Sequence, residues 1–148
     1  MIALESLTVR FGGLVALDAV SASFTAPVSG IIGPNGAGKT TTMNVISGFL
    51  TSSGSVTVDG TDLMRLAPHQ RSRWGLRRSF QREQIADDLT VEENLWAIAD
   101  NLSGSRAEKR ANIATAMEFT GITAIRTKPG AALNTFERRL CDLARCIT

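Results

Sequence analysis

One stretch limits what this chain can fold into more than any other: Ile31-Ile32-Gly33-Pro34-Asn35-Gly36-Ala37-Gly38-Lys39-Thr40-Thr41-Thr42. It fits the pattern G-x-x-x-x-G-K-T, a phosphate-binding loop entered from a short apolar strand over 28–32 and opening into a helix over 39–50. Gly33, Gly36 and Gly38 tolerate φ > 0 and keep side chains from standing between phosphate oxygens and backbone N–H groups. Pro34, Asn35 and Ala37 fill the variable positions between them. The N-terminus of the following helix adds unpaired N–H donors and a partial positive charge. Lys39 supplies a compact cation for β- and γ-phosphates, and the Thr40 hydroxyl, followed by Thr41, suits Mg²⁺. The bland alternative, a glycine-rich turn before a helix with an incidental lysine, does not explain the strand-loop-helix context.

The 148 residues suffice for one ordinary domain with a core, and 43% hydrophobic against 20% charged residues is a globular balance. No apolar run is long enough to span a bilayer and the N-terminus has no signal-peptide plan, so the expected compartment is the cytosol. Cys141 and Cys146 fall on different faces of one expected helix and read as reduced residues rather than a disulfide or zinc pair. Net charge is +2, yet arginines 65, 71, 73, 77, 78 and 82 cluster without an intervening acid. A solvated face or a protein partner accounts for them better than nucleic acid, because no exposed aromatics or DNA-binding motif accompany them.

Patterning gives the remaining elements. Ile2 to Arg10 reads as a strand, 11–13 as a turn, and Leu14 to Phe24 as a second strand antiparallel to the first. Ser55 to Val58 is a short strand before the Asp59-Gly60 turn, and Pro68 opens a short helix ending near Gly75. Leu76 to Phe80 is expected to be a core strand leading to Gln81, with His69 in an exposed loop. Thr90 and Glu93 form a capping box for one helix. Arg106 to Phe119 is a second helix closed by Gly121, and the stretch from Leu133 to Thr148 finishes as an amphipathic third. The fold class is therefore α/β, with a β-rich nucleotide-binding part over 1–82 and a helical part over 83–148.

Further motifs choose among phosphate-loop proteins. LTVRFGGLVALDAVSASF, GPNGAGKTTTMNVISGFL, SGSVTVDGTDL, RRSFQ and LTVEENL follow one another in an order and spacing that resembles the ATP-binding subunit of ABC transporters. RFGGLVAL, ISGFL and PHQRSRWGLRRSFQ look most like the branched-chain amino acid importer group. The resemblance covers essentially the whole chain. It implies a P-loop ATPase core with an antiparallel β subdomain and a helical subdomain, taking ATP and Mg²⁺. It makes Phe11 the aromatic that stacks on adenine, and Gln81 the glutamine that contacts Mg²⁺ or the attacking water. It also implies transmembrane permease subunits and a second ATP-binding subunit as partners, on the inner face of the cell membrane.

Two departures qualify that implication. The signature motif corresponds to Leu133–Arg139, where Asn134 stands for the usual serine and Phe136 for a glycine. A ring at 136 hinders a close backbone approach, although Asn134 keeps a donor. The text also stops at Thr148, where the family continues into an apolar strand ending Asp-Glu and later a switch histidine. The resemblance thus implies an N-terminal portion that orients no water by itself. A nucleotide-binding module without turnover is the alternative to a working ATPase; an unrelated phosphate-loop kinase is disfavoured by LTVRFGG and RRSFQ.

Overall fold

The computed structural model describes all residues, 1–148. The chain divides into two compact units, Met1–Leu76 and Arg77–Thr148.

In the first unit, β1 (Ile2–Phe11), β2 (Leu14–Phe24), β3 (Ser53–Val58) and β4 (Thr61–Asp62) form one antiparallel sheet in the order β2-β1-β3-β4. Gly12 and Gly13 alone turn β1 into β2, with Phe11 already paired to Leu14. Asp59 and Gly60, both at positive φ, turn β3 into β4. That is the two-residue geometry matching strand twist. Strict alternation would put Leu4 and Leu7 on opposite faces, yet both are buried. A register shift between them, with Ser6 at φ 51°, flips the phase and returns Leu7 to the core. Gly54 lies against that irregularity: a Cβ there would sit 2.6 Å from the Ser6 carbonyl oxygen.

Helix α1 (Lys39–Ile46) lays Val45 and Ile46 on the core formed by Leu4, Leu7, Val9, Leu17, Val56 and Leu63. Fully burying side chains such as Leu7 and Val45 contributes about 1.5–3 kcal/mol each. The short α2 (Pro68–Trp74) begins on proline and ends at Gly75, as its sequence implies.

The second unit is a three-helix cluster: α3 (Val91–Ala99), α4 (Arg106–Thr120) and α5 (Thr135–Ile147). Each starts with a reciprocal capping box, Thr90–Glu93, Ser105–Glu108 and Asn134–Glu137. Gly121 at φ 71° closes α4. Val91, Leu95, Ile113, Met117, Ile122, Leu133, Cys141 and Ala144 make the core.

Four expectations are corrected. Residues 28–32 form no strand: no ladder partner pairs with them, and Val28 and Ile32 are 90% and 97% exposed. Residues 76–80 form no strand either, for the same want of a partner. The first helix stops at Ile46 rather than Leu50, because Gly48 at φ 82° reverses the chain and Phe49 N–H bonds back to the Asn44 carbonyl. His69 is exposed but sits in α2, not a loop.

Candidate functional site

The phosphate loop is built between β2 and α1. Gly36 and Gly38 adopt φ 84° and 82°, the left-handed region that a Cβ disfavours. Gly33 does not have positive φ; it matters through space, since a Cβ there would lie 3.3 Å from that of Ala37. Gly38 is doubly constrained. Its missing Cβ would stand 2.6 Å from Leu17 Cδ2 and 2.9 Å from the Ala16 carbonyl, so the end of the loop is pressed onto β2. An Ala37 N–H bond to the Pro34 carbonyl, 3.3 Å, closes the turn.

Lys39 folds back over the loop. Its Nζ donates to the carbonyls of Gly33 at 2.7 Å and Pro34 at 2.6 Å, which holds the ammonium beside the turn. Gly38 is the N-cap of α1 and offers no side-chain cap, and no acid occupies the first turn. The three helices of the second unit all carry glutamate there. The first-turn donors and dipole of α1 therefore meet no protein anion. Thr40 is exposed and Thr41 half-buried, whereas Thr42 turns inward and bonds the Gly38 carbonyl at 3.0 Å.

These residues fit a triphosphate. Glycine-opened amides, a lysine and an uncapped helix start are an anion cradle. No group of three or more His, Cys, Asp or Glu gathers to form a metal cage. Mg²⁺ suits such a site because it keeps its waters and binds through phosphate oxygens with few protein ligands.

The other expected residues fall as follows. Phe11 ends β1 at the hairpin, half exposed, with its ring available to a planar partner. Its pairing residue Leu14 lies three residues along β2 from Leu17, against which Gly38 packs, or about 10 Å. Gln81 belongs to the second unit and is exposed; its carbonyl accepts from Arg139 at 3.2 Å. Asn134 caps α5, its Oδ1 accepting the Glu137 N–H at 2.9 Å, so the side-chain oxygen is engaged and the amide remains to donate. Phe136, in the first turn of α5, is 70% exposed. Lys128, first, and then the Asn134 N–H hold the Glu137 carboxyl below the ordinary carboxylate range.

Arg71, grouped with the basic cluster by sequence, is buried. Its NH1 donates at 2.7 Å to the carbonyls of Val45 and Ile46, and its Nε at 2.9 Å to that of Leu66. Burial lowers its pKa, and Asp62 opposes that effect. It satisfies carbonyls at the C-terminal end of α1, which locks the helix whose other end faces the loop. An isolated arginine in a basic run gave no signal of this. A cleft of about 310 Å³ elsewhere, lined by Trp96, Asp100, Arg106 and Lys109, holds no nucleophile beside a base.

Comparison with known proteins agrees with this geometry. The family model described as ABC transporter matches residues 20–148. The chain is 31% identical, over 97% of its length, to the high-affinity branched-chain amino acid transport ATP-binding protein BraF of Pseudomonas aeruginosa, covering 63% of that protein. It is 37% identical, over 81% of its length, to the lipopolysaccharide export system ATP-binding protein LptB of Escherichia coli K12, covering 51% of it. A solved ATP-binding cassette of an ABC transporter superposes with a TM-score of 0.85 at 29% identity, over 99% of this chain and 64% of that one. The chain thus spans about half to two thirds of the length of the relatives it matches.

Proposed function

The chain belongs to the ABC transporter family, with ATP and Mg²⁺ as its nucleotide and metal, and we propose that it serves as the ATP-binding subunit of an importer. The observation that carries this reading is the loop: Lys39 held over Gly33 and Pro34, at an α1 start with neither cap nor acid. Gly33 to Thr41 would hold the phosphates, Thr40 and Gln81 would contact Mg²⁺, and Phe11 would stack on adenine. Branched-chain amino acids or similar solutes are the proposed cargo. BraF and its counterpart LivG of Salmonella typhimurium align over 97% and 99% of this chain, while LptB aligns over 81%. The partners would be permease subunits in the membrane and a second ATP-binding subunit, with the chain peripheral on the inner membrane face.

One observation favours a second reading, nucleotide binding without turnover. Phe136 presents an exposed ring where the family signature has a glycine. Phosphate release measured beside ATP binding separates the two, since binding without release favours the module. The test of the shared reading is a calorimetric titration with ATP and Mg²⁺. Loss of the Lys39 cation in Lys39→Ala removes a charge-assisted contact, and affinity should fall about tenfold or more. An unchanged affinity would overturn the phosphate-loop reading.

A further inference from the structure

Residues 80–87 form neither helix nor strand, so side chains must take up their backbone groups. Three side chains of α3 and α5 do so, and a fourth holds a carboxylate of the segment. Asn94 of α3, itself buried, accepts the Ala86 N–H at 2.9 Å and donates to the Ala86 carbonyl at 3.0 Å. Arg138 bonds the Asp87 carboxylate at 2.8 Å and the Gly130 carbonyl at 2.9 Å. Arg145 donates to the Gln84 carbonyl and faces the Asp142 carboxylate at 3.8 Å. Arg139 takes the end that carries Gln81. Its NH1 donates to the Phe80 carbonyl at 3.3 Å, its NH2 to the Gln81 carbonyl at 3.2 Å, and its Nε pairs with Glu83 at 2.8 Å.

The three contacts of Arg139 use the planar fork of a guanidinium, which presents donors in several fixed directions at once. Positions 139, 142 and 145 follow one another at three-residue steps, so they share a side of α5. The anchors at 86–87 act beside Ile85, which is buried in the helical core, and have a structural reason. Arg139 does not: half its side chain is exposed and it reaches only residues 80–83.

We propose that Arg139, paired with Glu83, is a positioning residue for Gln81, fixing its backbone to the helix that begins at Asn134. The proposal rests on the reading of Gln81 as a Mg²⁺ contact, and it makes the orientation of that side chain depend on α5. Residues 80–84 and the first turn of α5, with Phe136, then move together.

Limited proteolysis of the full chain without nucleotide, with cleavage in the segment read after Arg82, tests the attachment. Arg139→Gln should speed cleavage after Arg82 by about tenfold while cleavage within α4 stays unchanged. Arg139→Lys should behave alike, because one ammonium cannot span three acceptors. Glu83→Gln removes the ion pair from the segment's side and leaves α5 untouched. The second readout is the ratio of affinities for ATP with Mg²⁺ and ATP in EDTA. Arg139→Gln should weaken the first about tenfold and leave the second within about twofold. Unchanged cleavage after Arg82 overturns the attachment. Faster cleavage with an unchanged ratio overturns its role in the site. Neither result touches the phosphate-loop reading, which the Lys39→Ala titration addresses alone.

Discussion

Gly38 shows how much one absent side chain carries. It is at once the N-cap of α1, a left-handed residue, and the contact between loop and β2. Gly38→Ala should cost about 1–3 kcal/mol, through the φ and through the clash with Leu17 and the Ala16 carbonyl. Gly36→Ala meets open space and should cost only the conformational strain, about 1–2 kcal/mol. Urea titrations of the two variants check the order. Arg71 is the opposite case, a residue whose presence is required. Arg71→Met would leave the Ile46 and Leu66 carbonyls without their donor, while the Val45 carbonyl keeps the Gly48 N–H, and should lower stability by about 2–3 kcal/mol. A loss no larger than that of an exposed arginine, such as Arg73→Met, would remove its locking role. At Phe11, replacement by alanine should reduce the preference for ATP over inorganic triphosphate, read in competition titrations; an unaltered ratio would reject stacking.

Among the elements, the three capped helices carry a pH dependence. Backbone N–H donation by Thr90 lowers the pKa of Glu93, that of Ser105 lowers Glu108, and the Lys128 ammonium, first, lowers Glu137. A folded-state pKa below the unfolded one stabilises the fold above the ordinary carboxylate value, about 4.3, and that contribution is lost as pH falls through the folded values. Helical melting temperature should therefore fall on going from pH 6 to pH 3. Asp142 works the other way. Burial, its first cause, raises its pKa, so its ionisation opposes folding as pH rises. Asp142→Asn should steepen the acid-side loss of stability, and Thr90→Ala should weaken α3 by about 1 kcal/mol. Circular dichroism melts across pH read both. Of these caps, Thr90–Glu93 was legible in the sequence, as were the hairpins at 12–13 and 59–60, because each needs only a few consecutive residues. The strands expected at 28–32 and 76–80 were not, since an apolar run becomes a strand only when another strand supplies its hydrogen bonds.

For the whole molecule, each of the two units has its own core, with the glycine-rich loop in the first and the Gln81 segment and Asn134–Phe136 in the second. No helix is long and apolar enough to cross a membrane. Val28, Ile31 and Ile32 stand exposed on backbone without a ladder, a surface that favours self-association. Ile32→Lys should reduce the concentration dependence of light scattering; undiminished association would place the contact elsewhere.

By itself the sequence determined the phosphate loop, its lysine, the turns and the helix starts, because positive φ, capping and anion binding are properties of neighbouring residues. Only the tertiary structure decided that Arg71 locks α1, that Leu7 faces inward past a register shift, and that Arg139 holds the residues around Gln81. Those roles join groups well separated along the chain, 25 positions in the case of Arg71 and Ile46, and such contacts exist only once the chain has packed.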